Sequence, residues 1–166
     1  LYPNADAAAL DRLRGLESIE DEGTIEALAD VGNLKGTRCL EVGAGAGSIA
    51  QWLARQVGPS GSVVATDLDT RHLQPLAGGN LEVRTHDVLR DPLPEAAFDL
   101  IHVRHVLIHL NVRADEAYAR LARALKPDGV LLCEESDFAG AGATNPTPAD
   151  LRRTYNAGVE ALLALY

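Results

Sequence analysis

The chain has 166 residues, 46% of them hydrophobic, with 24 acidic against 15 basic side chains and a formal charge of −9. That length predicts one domain with room for an appendage, burying about 70% of its unfolded surface, so a core forms without disulfides or a structural metal. The negative balance disfavours general attraction to nucleic acid or anionic lipid. No run reaches the roughly 20 apolar residues of a membrane span, and the start lacks the basic-then-apolar layout of a signal peptide. A cytoplasmic protein without nucleic-acid or membrane partners is expected.

From Ala5 to Val31 the apolar residues Leu10, Leu13, Leu16, Ile19, Ile25, Leu28 and Val31 recur at steps of three or four, the spacing of a helical face. Two helices broken near Gly23 are predicted. After Gly32 the texture changes to short apolar runs bounded by glycine, proline or aspartate: Arg38 to Val42, Ser62 to Thr66, Leu81 to Thr85, Phe98 to Val103 and Val130 to Glu134. These have the length and composition of strands. Between them lie helical patterns over Ser48 to Val57, a short one near Thr70 to Leu76, and Ala114 to Leu125, the last ending at Lys126-Pro127-Asp128-Gly129 as a helix stop and turn. Cys39 and Cys133 fall in strand-like runs and read as buried free thiols. Ala139 to Pro148 reads as a loop or lid, and Asp150 to Tyr166 as one more helix.

Strands alternating with helices imply crossover connections and a doubly wound, mostly parallel α/β sheet. Three segments are expected: a helical cap over residues 1–36, an α/β core over 37–137, and a lid loop with a helix over 138–166.

The first strand runs into Glu41-Val42-Gly43-Ala44-Gly45-Ala46-Gly47-Ser48, and a helical pattern follows at once. Glycines let the chain turn tightly and let a ligand approach the backbone, while the helix start offers unpaired N–H groups. Asp67 ends the second strand, where a carboxylate can accept from both hydroxyls of a ribose. Asp87, after the third strand, is placed to accept from an exocyclic purine amine. Features at the carboxyl ends of successive strands point into one crevice.

The dinucleotide fingerprint calls for a glycine at position 48, which is Ser48. Glu41, two residues before the first glycine, repels a pyrophosphate and suits a ligand with an ammonium group. A cationic adenosine compound is favoured over NAD.

These residues resemble the class I S-adenosylmethionine-dependent methyltransferases, in particular the small-molecule group similar to quinone-biosynthesis methyltransferases. The resemblance spans about Thr37 to Glu135 and rests on Leu40 to Gly47, Val64-Ala65-Thr66-Asp67, Asp87, Asp91-Pro92-Leu93-Pro94, Phe98-Asp99-Leu100-Ile101 and Leu125 to Gly129. It implies S-adenosylmethionine as cofactor and S-adenosylhomocysteine as product. Glu41, Gly43, Ala44 and Gly45 would line the methionine portion, with Asp67 on the ribose and Leu68 beside the adenine. Asp87 would bind the adenine amine, Val88 would pack on the ring, and Arg104 would face the sulfonium end. Asp128, where the family often has glycine, is the one departure.

Methyl transfer is an in-line displacement in which the protein aligns the groups and excludes water. A general base is needed only if the acceptor loses a proton, and His105 and His109 are the candidates, sharing a face if they lie on one helical turn. With His102 they also invite a metal reading, but no acidic ligand interleaves them, and no metal is expected. Arg152-Arg153 reads as a solvated helix face or an acid-binding pair, and Phe138, Tyr155 and Tyr166 as packing or pocket residues.

The acceptor is expected to be a small molecule with an oxygen, nitrogen or carbon nucleophile. The alternatives are an NAD(P)-dependent oxidoreductase or a non-catalytic methyltransferase-like binding domain. Lys35 and Lys126 are the only lysines, and no tyrosine stands where a short-chain dehydrogenase needs one. The family's sheet has seven strands, the last two a hairpin, whereas five are countable here. With methionine absent and Leu1 first, a piece of a larger methyltransferase is expected. Were the chain complete, the open fifth strand would need cover from a partner chain, as in a homodimer.

Overall fold

The computed structural model describes residues 8–136. The chain divides between Glu134 and Glu135 into two compact units, and every element below lies in the first. The lid loop, the last helix, Phe138, Arg152, Arg153, Tyr155 and Tyr166 fall outside the described residues.

The elements run α1 (Ala9–Asp30), β1 (Arg38–Val42), α2 (Ser48–Val57), β2 (Ser62–Asp67), β3 (Leu81–Thr85), β4 (Phe98–Arg104), α3 (Ala114–Ala124) and β5 (Leu125–Glu134). Short 3₁₀ turns occupy Gln74–Leu76, Leu107–His109 and Asn111–Arg113. All strand pairings are parallel, in the order β3-β2-β1-β4-β5. This is the doubly wound α/β sheet that the alternation implies. From β1 the chain winds outward through β2 to β3, then returns to the other side of β1 for β4. The switch point is therefore the gap between β1 and β4, where such sheets open a crevice beyond the strands' carboxyl ends.

Alternation along the strands divides the core in two. On one side Cys39, Val63, Ala65 and Leu100 pack with Leu28 of α1 and Ile49, Leu53 and Val57 of α2. On the other, Leu40, Val42, Val64, Ile101 and Val103 pack with Ala117, Leu121 and Ala124 of α3. Burial pushes the Cys39 thiol up to about 11, so it stays protonated as a small apolar group. Cys133 is only partly buried. Asn80, ahead of β3, donates to the carbonyls of Ala54 and Gly58 and so closes the end of α2. Among the described residues no helix is long and apolar enough to cross a membrane.

Three expectations are corrected. Residues 9–30 form one helix, unbroken at Gly23. A helical glycine costs only about 1 kcal/mol against alanine, which does not end a helix whose far half is anchored by buried Thr24 and Leu28. The stripe is also less apolar in its burial than in its sequence, since Ile19 is exposed and Thr24 is not.

Second, Lys126 to Gly129 is a bulge inside β5 and not a turn ahead of it. Leu125 pairs with Phe98 and Val130 with Leu100, so the extra residues stand out of the ladder. Pro127 thus sits at an irregularity of a strand that is the sheet's edge among the described residues. The alternation of β4 slips at the same place, with Phe98 on the α3 side and Leu100 on the other. Asp99 fixes the slip by accepting from Arg38 N–H at 2.8 Å and from Lys126 Nζ at 2.7 Å. Third, Thr70 to Leu76 holds hydrogen-bonded turns and the 3₁₀ turn rather than an α-helix.

An added Cβ at Gly15 or Gly23 would meet nothing within 4 Å, whereas at Gly61 it would lie 2.5 Å from the Thr37 carbonyl oxygen and 2.6 Å from Val57 Cβ. Gly15→Ala and Gly23→Ala are each expected to raise unfolding free energy in urea by about 0.5–1 kcal/mol. Gly61→Ala should lower it. A loss of stability in Gly23→Ala would mean that the helix needs a discontinuity there.

Candidate functional site

Beyond Val42 the backbone turns through Gly43 (φ +69°), Gly45 (φ +58°) and Gly47 (φ +93°), all left-handed. A Cβ at Gly43 would run into the Val106 side chain, and one at Gly47 would lie 2.5 Å from Leu76 Cδ1 and 2.9 Å from Leu73 Cδ2. These glycines are required by conformation and by space together. The turn is held by Ala44 N–H donating to the Thr66 carbonyl at 2.9 Å and Gly47 N–H to the Ala44 carbonyl at 2.8 Å. Helix α1 lies against it: Leu13 Cδ2 would be 3.2 Å from a Cβ on Gly45, and Glu17 Oε1 accepts from Ser48 N–H at 3.0 Å. A carboxylate at the start of α2 matches the positive end of that helix.

Asp67, the last residue of β2, accepts from Gly45 N–H at 3.0 Å and from Asp69 N–H at 3.1 Å. Burial raises its carboxyl above the usual range, against the N–H bonds from Asp69, Gly45 and Leu68. Ionised, it offers about four acceptor positions, so a further donor can be received beyond these N–H groups. Leu68 beside it is 50% exposed, an apolar side chain at the mouth of a polar turn. His86 N–H donates to the Asp67 carbonyl at 3.0 Å and draws the end of β3 alongside. Asp87, two residues past β3, accepts from Leu89 N–H at 2.9 Å, while Val88 is buried with Leu40, Val42 and Val64. Glu41, Gly43, Ala44, Gly45, Asp67, Leu68, Asp87 and Val88 thus lie along the carboxyl ends of β1, β2 and β3.

The end of β4 is organised differently. Glu41 and His102 are register partners on β1 and β4, on the same face as Cys39 and Leu100, one row nearer the carboxyl end. His102 Nδ1 lies 2.8 Å from Glu41 Oε2, and Nε2 lies 2.7 Å from Glu134 Oε2 at the end of β5. The ring is 0% exposed and Glu41 is 4% exposed. Burial alone would lower His102. The charges and hydrogen bonds of Glu41 and Glu134 reverse that and hold it up at about 9. The bond from His102 in turn holds the Glu134 carboxyl below its usual range, helped by Thr24 and Arg104.

Arg104 is the last residue of β4, and its guanidinium turns toward α1. Nη1 donates to Thr24 Oγ1 at 2.7 Å, Nη2 to Asp21 Oδ1 at 2.9 Å, and Nε lies 3.7 Å from Glu20 Oε2. Its acceptors are thus side chains of α1. His105 has φ +55° and its Nε2 lies 2.8 Å from Glu20 Oε2. His109 is exposed in the 3₁₀ turn Leu107–His109. The two histidines therefore do not share a helical turn, because the backbone at His105 is left-handed.

Glu17, Glu20, Asp21, Thr24 and Glu134 were not legible as site residues. The signal that could have found them is the polar residue that interrupts each apolar run, Glu41 in Leu-Glu-Val, His102 in Ile-His-Val and Glu134 after Leu-Cys, together with Glu20, Asp21 and Thr24 on one face of α1.

A family described as a methyltransferase domain matches residues 40–133. The ubiquinone/menaquinone biosynthesis C-methyltransferase UbiE of Pseudomonas putida is 32% identical over 130 residues, 74% of this chain and 48% of that protein. The chain thus spans about half the length of the curated relatives it matches. Among solved structures, a SAM-dependent methyltransferase from Aquifex aeolicus superposes with a TM-score of 0.67 at 22% identity, covering 82% of this chain and 78% of that one. A Haemonchus contortus phosphoethanolamine N-methyltransferase 2 in complex with S-adenosyl-L-methionine gives 0.69 at 21% identity, over 95% of this chain and 39% of that one. The likeness to these structures is one of fold.

His102 ordinarily titrates at 6.5 and is held up at about 9 in the folded chain. Between those values the folded chain keeps a proton that the unfolded chain releases. The stabilisation is complete below about pH 6.5, declines through the interval and is gone above about pH 9, on the order of 3 kcal/mol in all. Urea denaturation across that range should show the decline, and His102→Asn should flatten it. An unchanged decline in the variant would place the titrating group elsewhere.

Proposed function

The chain belongs to the class I S-adenosylmethionine-dependent methyltransferase family, and from that membership we propose that it binds S-adenosylmethionine beyond β1 and β4 and serves methyl transfer to a small-molecule acceptor. One observation carries the reading: a left-handed glycine turn and the carboxylates of Glu41, Asp67 and Asp87 stand together at the carboxyl ends of three neighbouring strands. The residues fit such a group. The turn exposes backbone without Cβ atoms at Gly43, Gly45 and Gly47, Asp67 accepts from Gly45 and Asp69 N–H at its foot, and Leu68 offers exposed apolar surface beside them.

In this reading Gly43, Ala44 and Gly45 give the methionine portion a backbone wall and Glu41 receives its ammonium. Asp67 accepts from the ribose hydroxyls, Leu68 and Val88 border the adenine, and Asp87 accepts from its amine. Arg104 contributes by fastening α1 over the turn, through Thr24 and Asp21. When bound, the cofactor supplies a methyl group activated on a sulfonium. The chain's own contribution is alignment and exclusion of water, with α1 covering the turn.

The C-methyltransferase relative favours a carbon acceptor, and a carbon nucleophile commonly needs a proton removed. His109, exposed after β4, is proposed as that base. His105 is held by Glu20 and is proposed as its support.

Calorimetric titration with S-adenosylmethionine, S-adenosylhomocysteine and NAD in parallel tests the reading. Binding of the adenosyl pair without NAD is expected, and binding of NAD alone would overturn it. Asp67→Ala should weaken S-adenosylhomocysteine by about 1–3 kcal/mol, the range for hydroxyls deprived of a charged acceptor. An unchanged affinity would remove Asp67 from the site.

A further inference from the structure

The binding roles above leave the polar cluster at the end of β4 unexplained. One imidazole faces two carboxylates: His102 Nδ1 meets Glu41 Oε2 at 2.8 Å and Nε2 meets Glu134 Oε2 at 2.7 Å. An ionised carboxylate only accepts, and a neutral imidazole has one donor. Two such partners call for the doubly protonated ring, and the ring's burial leaves the carboxylates as its partners. Glu41 faces it from β1 and Glu134 from β5. One contact further, Thr24 of α1 donates to Glu134 Oε1 at 3.2 Å and accepts from Arg104 of β4.

We propose that His102, as an imidazolium clamped between Glu41 and Glu134, is a positioning residue for the amine end of an amino-acid-bearing nucleoside cofactor: it fixes the Glu41 carboxylate to receive the ligand's ammonium and ties that carboxylate, through Glu134 and Thr24, to the helix above the turn. The inference rests on the cofactor reading given above and concerns how its amine end is recognised. Two carboxylates and one imidazolium leave one net negative charge, which a ligand ammonium neutralises. Fixing Glu41 beforehand removes the ordering cost that a free glutamate side chain brings to binding. Since the ring is held up at about 9, the clamp is charged at neutral pH.

Nitrogen-15 NMR of the histidine rings near pH 8 reads the protonation directly, and both His102 nitrogens are expected to carry protons. A bare nitrogen overturns the proposal. Binding is then compared for S-adenosylhomocysteine, which carries the ammonium, and 5′-methylthioadenosine, which keeps the nucleoside without it. His102→Asn should weaken the first about tenfold and change the second less than about twofold. Equal losses on both, or none on either, overturn it, since a packing role does not distinguish the ligands.

Should that variant not fold, Glu134→Gln keeps the shape and an acceptor oxygen while removing one charge, so His102 loses its proton at lower pH. Its S-adenosylhomocysteine affinity relative to the wild type should fall near pH 8.5 and match near pH 6, and a ratio constant across that range overturns the proposal. The ligand's own titration cancels in the ratio. If the wild-type chain binds neither nucleoside, the cofactor reading fails and takes this one with it. If it binds both and the variants lose no selectivity, only the clamp fails.

Discussion

Two carboxylates flank one strand at the carboxyl edge of this sheet, Glu41 from β1 and Glu134 from β5, and the strand between them supplies the cation that lets both stay there. Carboxylates taken out of water lose several kcal/mol of hydration each and are retained only with good partners. His102 is such a partner at 2.8 and 2.7 Å. The arrangement depends on β4 lying next to β1, which follows from the point where the winding of the sheet reverses. The switch point therefore both opens the crevice and assembles the charged row beneath it.

That row also determines where α1 goes. A helix with Ile19 exposed and Thr24 buried is not placed by its apolar stripe alone. Its inner face carries Glu20, Asp21 and Thr24 to Arg104, His105 and Glu134, and one turn earlier brings Glu17 to the start of α2 and Leu13 to Gly45. Pairing with Asp21 and Glu20 spends the charge of Arg104 on the protein itself. Among the groups named at this end of the sheet the acids outnumber the cations, so the local field favours a cationic ligand, as Glu41 alone had suggested.

Much of the fold is legible in the sequence because apolar runs of strand length, punctuated by glycine and proline, leave few alternatives. Arg38 to Val42, Ser48 to Val57 and Leu81 to Thr85 lie where their patterns place them. The misread places are those where a local signal competes with a tertiary one. Gly23 punctuates a pattern that packing carries through. Lys126 to Gly129 has the composition of a turn, yet the ladder to β4 resumes past it.

The glycine turn and its acidic neighbours are legible because they stand close in sequence. The row of Glu41, His102 and Glu134 is not, because residues so far apart in the chain meet only once strand order and register are known. His102 looks solitary within its strand for that reason.

The two faces of the sheet carry different burdens. On the α3 side β1 and β4 stay apolar toward their ends, Val42 and Val103 closing a cluster with Leu107 and Leu121. On the α1 side the apolar row of Val63, Cys39 and Leu100 gives way, one step later, to Glu41 and His102. Because side chains alternate, that row lies between the packed core behind it and the Arg104–Glu134 pairing ahead of it. A charge there is buried enough to be fixed in place and near enough to the turn to act on what binds it. Its cost falls on stability, since a buried charge occupies a level of the sheet that apolar packing would otherwise fill.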